Sequence, residues 1–207
     1  MPDIQEKKGS QPWRGAFRAD VVHRMLAFDL ETSGLDPRKD LITCAAACDP
    51  EGNIQRVFFL ARLDESGKLV PMLDGAEAFM AMLDAADRLC AFNGARFDLP
   101  FLQHQLGASP ARVRAWRQKL HDVFEGCKLG LGVTFPLRDL LELNGLPGKT
   151  GSGADAVRLA RAGDWTQLGE YCLNDTRVTH QVSSLDRILL PRTHGLFMDA
   201  QGMFHTT

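Results

Sequence analysis

What the chain lacks narrows its chemistry first. Its five cysteines (Cys44, Cys48, Cys90, Cys127 and Cys172) are odd in number and contain no C-x-x-C pair. That argues against a disulfide framework or a zinc knuckle and leaves reduced, core-filling thiols. An excess of charge of one sign is missing as well, since 24 basic and 26 acidic residues leave a net charge of −2. Such a chain is no generic nucleic-acid coat, and any contact with nucleic acid has to come from a local basic patch or from bound metal. No apolar run approaches the roughly 18 residues of a membrane span. The stretch Met1 to Lys8 has no apolar signal segment, so the expectation is a soluble, cytoplasmic protein with no membrane partner. The six histidines show no H-E-x-x-H spacing, and no serine sits in a nucleophile elbow. Pro147-Gly148-Lys149-Thr150 ends like a phosphate loop, but Leu143 stands where that loop requires glycine. Tyrosine occurs once, at Tyr171, against twelve phenylalanines.

What is present is an ordinary globular composition, 44% hydrophobic over 207 residues, enough for one α/β domain with a full core. Residues 1–20, polar with a lone Trp13, read as an N-terminal arm; 21–190 read as the folded domain and 191–207 as an unassigned C-terminal tail. Three strands come first, ending at Glu31, spanning Leu41 to Cys48, and spanning Ile54 to Leu60. Tight turns at Gly34 to Lys39 and Asp49 to Asn53 join them, which predicts an antiparallel meander. Ala76, Phe79, Met80, Met82 and Leu83 fall at helical spacing within Asp74 to Ala86. A buried strand over Arg88 to Phe92 precedes a helix over Arg96 to Leu106. A basic helix over Ala111 to Leu120 precedes a short strand at His121 to Phe124. Helices follow at Pro136 to Asn144, Ala154 to Ala162 and Trp165 to Leu189. The pattern predicts a mixed sheet with helices packed on it.

Chemistry gathers in three places. In the first strand Met25, Ala27, Asp29 and Glu31 share one face and Leu26, Phe28 and Leu30 the other, so two carboxylates stand side by side. Burying them demands positive charge between them; otherwise the strand end is simply solvated. Asp98 opens a helix just after a buried strand, where it is either a first-turn acid favoured by the helix dipole or a residue at a strand-end site. Tyr171 and Asp175 stack one turn apart on a helix, as a surface pair or as a phenol chosen for its hydroxyl. Four carboxylates from three elements suit hard cations such as Mg²⁺ or Mn²⁺, and two ions could be held for phosphoryl transfer.

In order, Asp29-Leu30-Glu31-Thr32, Asn93-Gly94-Ala95-Arg96-Phe97-Asp98 and Tyr171-x-x-x-Asp175 resemble the three exonuclease motifs of the DEDD superfamily, in its tyrosine-bearing DEDDy branch. The Phe-Asn-x-x-x-Phe-Asp spacing is similar to the family-B polymerase proofreading type and its stand-alone relatives, as is the Lys149-containing loop and helix before the third motif. The resemblance spans about residues 23–190. It implies a ribonuclease-H-like α/β fold, an antiparallel meander followed by parallel strands with flanking helices. It also implies a 3′–5′ exonuclease that releases nucleoside 5′-monophosphates from single-stranded nucleic acid, DNA favoured over RNA, with two divalent cations. By this resemblance Asp29 bridges both ions, Glu31 and Asp175 complete the site of the ion carrying the attacking water, and Asp98 holds the second ion. Tyr171 orients the water. Thr32, Leu35, Asn93, Phe97 and Lys149 fall where relatives touch the strand. A polymerase or a replication or repair protein is the implied partner.

Two other readings remain open on sequence: a ribonuclease-H-like endonuclease with a similar carboxylate set, and a non-catalytic nucleic-acid-binding module of exonuclease origin. The basic helix with Arg112, Arg114, Trp116, Arg117 and Lys119 reads either as a phosphate-tracking patch or as a solvated helix face. His121-Asp122 has the look of a metal-binding pair but lacks a companion histidine cluster, and reads as a strand-end pair.

Overall fold

Residues 25–32 form the central strand of a five-stranded sheet, antiparallel to one neighbour and parallel to the other. The computed structural model describes residues 25–49, 52–149 and 151–206. The arm expected over 1–20 lies outside the described residues. In chain order the elements are β1 (Met25–Thr32), β2 (Ile42–Cys48), β3 (Gln55–Phe59), β4 (Ala61–Leu63), β5 (Leu69–Pro71), α1 (Ala76–Ala85), β6 (Arg88–Ala91), α2 (Asp98–Gln105), α3 (Pro110–Gln118) and β7 (Leu120–Asp122). They continue with α4 (Val123–Leu131), α5 (Leu137–Leu143), α6 (Gly153–Ala162), α7 (Trp165–Ser183), β8 (Arg187–Leu189), β9 (Leu196–Asp199) and β10 (Phe204–Thr206). The main sheet has the order β3-β2-β1-β6-β7, with β1 to β3 antiparallel and β1, β6 and β7 parallel. This is the expected mixed α/β sheet flanked by helices.

The alternation of β1 divides the molecule. Leu26, Phe28 and Leu30 point into a core with Phe79, Met80 and Leu83 of α1, Leu99 and Leu102 of α2 and Trp116 of α3. The opposite face receives α7. There β2 offers Cys44, Ala46 and Cys48, small side chains that are fully or nearly fully buried, and Leu168, Tyr171 and Cys172 of α7 pack on Cys44 and Ala46 with Ala156 and Ala160 of α6. Small residues on the sheet let the helix lie close. A Cβ at Gly169 would stand 3.0 Å from the Phe59 ring, so the helix is trimmed at that contact too.

Two expectations are corrected. The last helix ends at Ser183, and Arg187–Leu189 is a strand, antiparallel to β9. A short apolar run before Pro191 has no periodicity to separate helix from strand, and tertiary pairing decides it. The strand placed at His121 to Phe124 stops at Asp122, whose side chain caps α4 by accepting from Glu125 N–H (3.1 Å). The segment after Pro191, unassigned from sequence, adds β9 and β10 and packs Met198, Leu196 and Phe204 against α4, α5 and the end of α7.

Candidate metal centre

Each acid reaches the site by a different local device. Asp29 and Glu31 are carried on the face of β1 that meets α7; Glu31 is paired with Cys44 of β2, and the register shifts just after it, between Glu31 and Thr32. Such an irregularity ends regular pairing and re-aims the chain. The turn that follows is tied by Thr32 Oγ1 donating to Gly34 O (2.6 Å) and by Asp40 accepting from Asp36 N–H (2.8 Å). Gly34 lies so close to the Asp40 carboxylate that a Cβ would meet it at 2.4 Å. Asp98 is the first residue of α2 and 2% exposed. Tyr171 and Asp175, 6% and 2% exposed, sit one turn apart on the buried side of α7.

These groups meet in one cleft of about 410 Å³. Asp29, Glu31, Asp98, Tyr171 and Asp175 line it, and so do Thr32, Leu35, Asn93, Phe97 and Lys149. Leu35 stands at its mouth, 83% exposed, while Phe97 also packs on the Phe101 ring at 5.0 Å between centroids. The tightest group is Asp29, Glu31 and Cys172, whose potential ligand atoms lie within 4.8 Å of one another; Asp98 and Asp175 border the cleft outside that triplet. Gly153, Ala154 and Val157 of α6 add a wall that sequence reasoning missed, because small residues at a helix start carry no chemical signature.

The electrostatics are those of a site short of positive charge. One ammonium enters, from Lys149, with Nζ 2.6 Å from Asp175 Oδ2 and 5.7 Å from the Tyr171 ring centroid. Burial tends to lower the Lys149 pKa, but Asp175, Asp29 and Glu31 outweigh it and hold the ammonium above its ordinary value. Desolvation, then the charge of Asp175, raises Asp29 to about 7, with Lys149 and a hydrogen bond to Glu31 opposing. Glu31 is pushed well up by burial and by Asp29 and Asp175, and Asp98 by burial, Asp29 and Asp122. Burial also raises Asp175, against the charge of Lys149. The Tyr171 phenol is driven above its ordinary range by burial and by Asp175. Two unit charges 4.8 Å apart repel by on the order of 3 kcal/mol at an effective dielectric of about 20, so Asp29 and Glu31 resist ionising together without help.

Asp98 Oδ1, Asp175 Oδ1 and Tyr171 Oη are buried without a hydrogen-bond partner among the described residues. Each such atom costs about 1–3 kcal/mol if nothing satisfies it. Unsatisfied carboxylate oxygens, a charge deficit and a predominantly oxygen donor set fit hard divalent cations such as Mg²⁺ or Mn²⁺.

The sheet order and the cleft beside its central strand define a mixed α/β fold with an acidic site against one face. The chain belongs to the RNase_H superfamily: the RNase_H_2 family model matches residues 26–134, more than half of the sequence and the part that carries Asp29, Glu31 and Asp98. Among solved structures, the family B DNA polymerase from the hyperthermophilic archaeon Pyrobaculum calidifontis is similar with a TM-score of 0.56. Identity is 19% over 77% of this chain and 24% of the polymerase. A structure of exonuclease I is similar with a TM-score of 0.51 and 16% identity, over 78% of this chain and 40% of that one. The chain thus spans less than half the length of either, and the likeness is one of fold. No curated protein matches the sequence.

The basic helix contributes little to this cleft. Arg112 is taken up by Glu77 and Asp84, Trp116 is fully buried, and Lys119 Nζ donates to the carbonyls of Asp84 and Ala86 at the end of α1. Among the described residues, no helix is long and apolar enough to cross a membrane.

Proposed function

We propose that this protein is a metal-dependent 3′–5′ exonuclease of the DEDDy type. It acts on the 3′ end of single-stranded nucleic acid, DNA in preference to RNA, and releases nucleoside 5′-monophosphates. The observation that carries this reading is the meeting of Asp29, Glu31, Asp98, Asp175 and the chain's only tyrosine in one cleft, with buried oxygens that nothing among the described residues satisfies. The superfamily and the two structural neighbours, an exonuclease and a DNA polymerase, agree with a nuclease.

In this reading Asp29, Glu31, Asp98 and Asp175 would hold two divalent cations, Mg²⁺ or Mn²⁺. Bound there, the ions would make a nucleophile of water at neutral pH and neutralise charge on the phosphate and leaving oxygen. The chain's own residues prepare the rest. Tyr171, with its phenol held above the ordinary range, keeps its proton, so Oη serves as a donor that orients the attacking water and not as a base. Lys149 keeps its charge beside Asp175 and supplies the cleft's ammonium for a phosphate oxygen. Leu35, exposed at the mouth, is placed to lie against the terminal base, while Thr32, Asn93 and Phe97 border the strand's path. A polymerase or a replication or repair protein would hand over the strand, as in proofreading or DNA repair.

An oligonucleotide pair tests the reading, one free and one blocked at the 3′ end, in DNA and RNA versions, with Mg²⁺ or Mn²⁺. The expected outcome is stepwise release of mononucleotides from the free DNA end and none from the blocked one. Cleavage of the blocked strand would assign an endonuclease instead, and binding without hydrolysis a non-catalytic module.

A further inference from the structure

The four acids are not positioned alike. Asp29, Glu31 and Asp175 belong to the middle or end of long regular elements, whereas Asp98 follows an irregular loop, residues 92–97, that no sheet pairing holds. Asn93 in that loop has a φ of 65°, a left-handed conformation uncommon for a residue other than glycine. Something outside the loop must fix it, and the structure has such a device.

Asp122, at the end of β7 and paired in register with Ala91, reaches under the loop. Its Oδ1 accepts from Asn93 N–H (2.9 Å) and its Oδ2 from Ala95 N–H (3.0 Å). The same Oδ1 accepts from Glu125 N–H (3.1 Å), which ties the carboxylate to the first turn of α4. Glu125 in turn binds Arg117 Nη2, and Arg117 Nη1 donates to the Ala95 carbonyl (3.4 Å). The circuit closes on itself: Asp122, Ala95, Arg117, Glu125 and back to Asp122. Both backbone groups of Ala95 are gripped from outside the cleft. Inside the loop, Phe97 N–H bonds Asn93 O (3.0 Å) and Leu99 N–H bonds Gly94 O (2.9 Å), so the grip passes to the first turn of α2. At Gly94 a Cβ would meet Ala91 at 2.5 Å and Asp98 Oδ2 at 3.4 Å, so the loop is pressed against the very carboxylate it carries.

We infer that Asp122 is a positioning residue for the proposed reaction: with Arg117 and Glu125 it clamps residues 93–97 so that the unpartnered oxygen of Asp98 is held in the cleft for a divalent cation. The inference rests on the nuclease reading above. Asp122 does not line the cleft and touches neither the strand nor the reacting atoms. It also gives Arg117, on the helix that read as a phosphate-tracking patch, a task behind the cleft.

The test measures Mn²⁺ binding directly, by the loss of the free-ion signal in electron paramagnetic resonance, alongside Mn²⁺-dependent hydrolysis, for Asp122→Ala, Asp122→Asn and Arg117→Gln. Removing a group that orients a metal ligand weakens affinity by about 10- to 100-fold, the range expected for the weaker of two Mn²⁺ sites in Asp122→Ala. Asp122→Asn keeps one acceptor oxygen but turns an amide N–H₂ toward Ala95 N–H, so an intermediate effect is expected, and Arg117→Gln should give the smallest. Hydrolysis by each variant should recover toward the wild-type rate at high Mn²⁺. A merely structural role would lower the melting temperature and leave Mn²⁺ affinity alone. Wild-type Mn²⁺ affinity in folded Asp122→Ala overturns the inference. Should Asp122→Ala not fold, unchanged Mn²⁺ affinity in both Asp122→Asn and Arg117→Gln overturns it. A wild-type protein that binds Mn²⁺ and hydrolyses nothing sinks the nuclease reading instead, and the two failures are thereby distinct.

Discussion

Two acidic clusters in this fold are built on opposite principles. In the seam between α1 and α3, Asp84 and Glu77 are met by an arginine and an indole of the same chain. Arg112 Nε donates to Asp84 (2.9 Å), Arg112 Nη2 to Glu77 (2.9 Å), and the Trp116 indole N–H to Asp84 (2.7 Å). In the cleft beside β1, among the described residues, four carboxylates share one lysine, and two of their oxygens have no hydrogen-bond partner. An acid that serves the fold is neutralised by its own chain. The cleft acids are left in deficit, a cost to stability that is understandable if a ligand makes up the difference.

The comparison can be broken in several places. Its largest expected effect is at Asp29→Ala, which should reduce metal-dependent hydrolysis to background while the metal-free melting temperature stays at or above that of the wild type. Full activity in this variant would remove Asp29 from the mechanism. Next, Tyr171→Phe should lower kcat by about 10²-fold or more with little change in KM. Its melting temperature should not fall, since the lost hydroxyl has no partner. On the other side, Trp116→Ala should cost about 3–5 kcal/mol of stability, read by urea denaturation, because it empties a fully buried site. Its half-saturating Mn²⁺ should equal that of the wild type; a shift would mean that the two clusters are coupled.

The last of these effects is a dependence on pH. Asp29 ionises near its ordinary value of 3.8 when unfolded and near about 7 when folded, so between those values the folded state holds a proton that the unfolded chain has released. Stability of the metal-free protein therefore falls as pH rises from about 4 to about 7, and Glu31, Asp98 and Asp175 act in the same direction. Added Mg²⁺ should flatten that slope by favouring the charged forms. Melting curves across this range, with and without the ion, would show it; a slope identical in both would argue that no cation meets these acids.

Spacing made the site legible in advance. Asp29 with Glu31 at i,i+2 and Tyr171 with Asp175 at i,i+4 are faces written into a strand and a helix, and their order along the chain matched a family pattern. The early meander was equally readable, from its Gly- and Asp-rich turns. What stayed hidden depends on partners distant in sequence. Arg112 looks like a phosphate ligand until Glu77 and Asp84, 35 and 28 residues away, are seen to claim it. Asp122 looks like half of a metal pair until it is found beneath Asn93 and Ala95. Arg187–Leu189 reads as the end of a helix because its pairing partner, Phe197–Asp199, comes after a proline and a turn. Local periodicity is a property of the segment; charge pairing and strand pairing belong to the whole fold.

The run Cys44-Ala45-Ala46-Ala47-Cys48 in β2 sets a spacing. Asp29 and Glu31 are fixed to the sheet, Tyr171 and Asp175 to α7, and Cys44 and Ala46 of β2 are part of the filling between the two layers. The gap across the cleft is thus gauged in methyl groups: an added branch at Ala46 would act as a shim under the helix. It would lift one half of the carboxylate set from the other without touching a single acid, and, in the metal-dependent reading proposed above, ion-size preference would shift with the thickness of the filling.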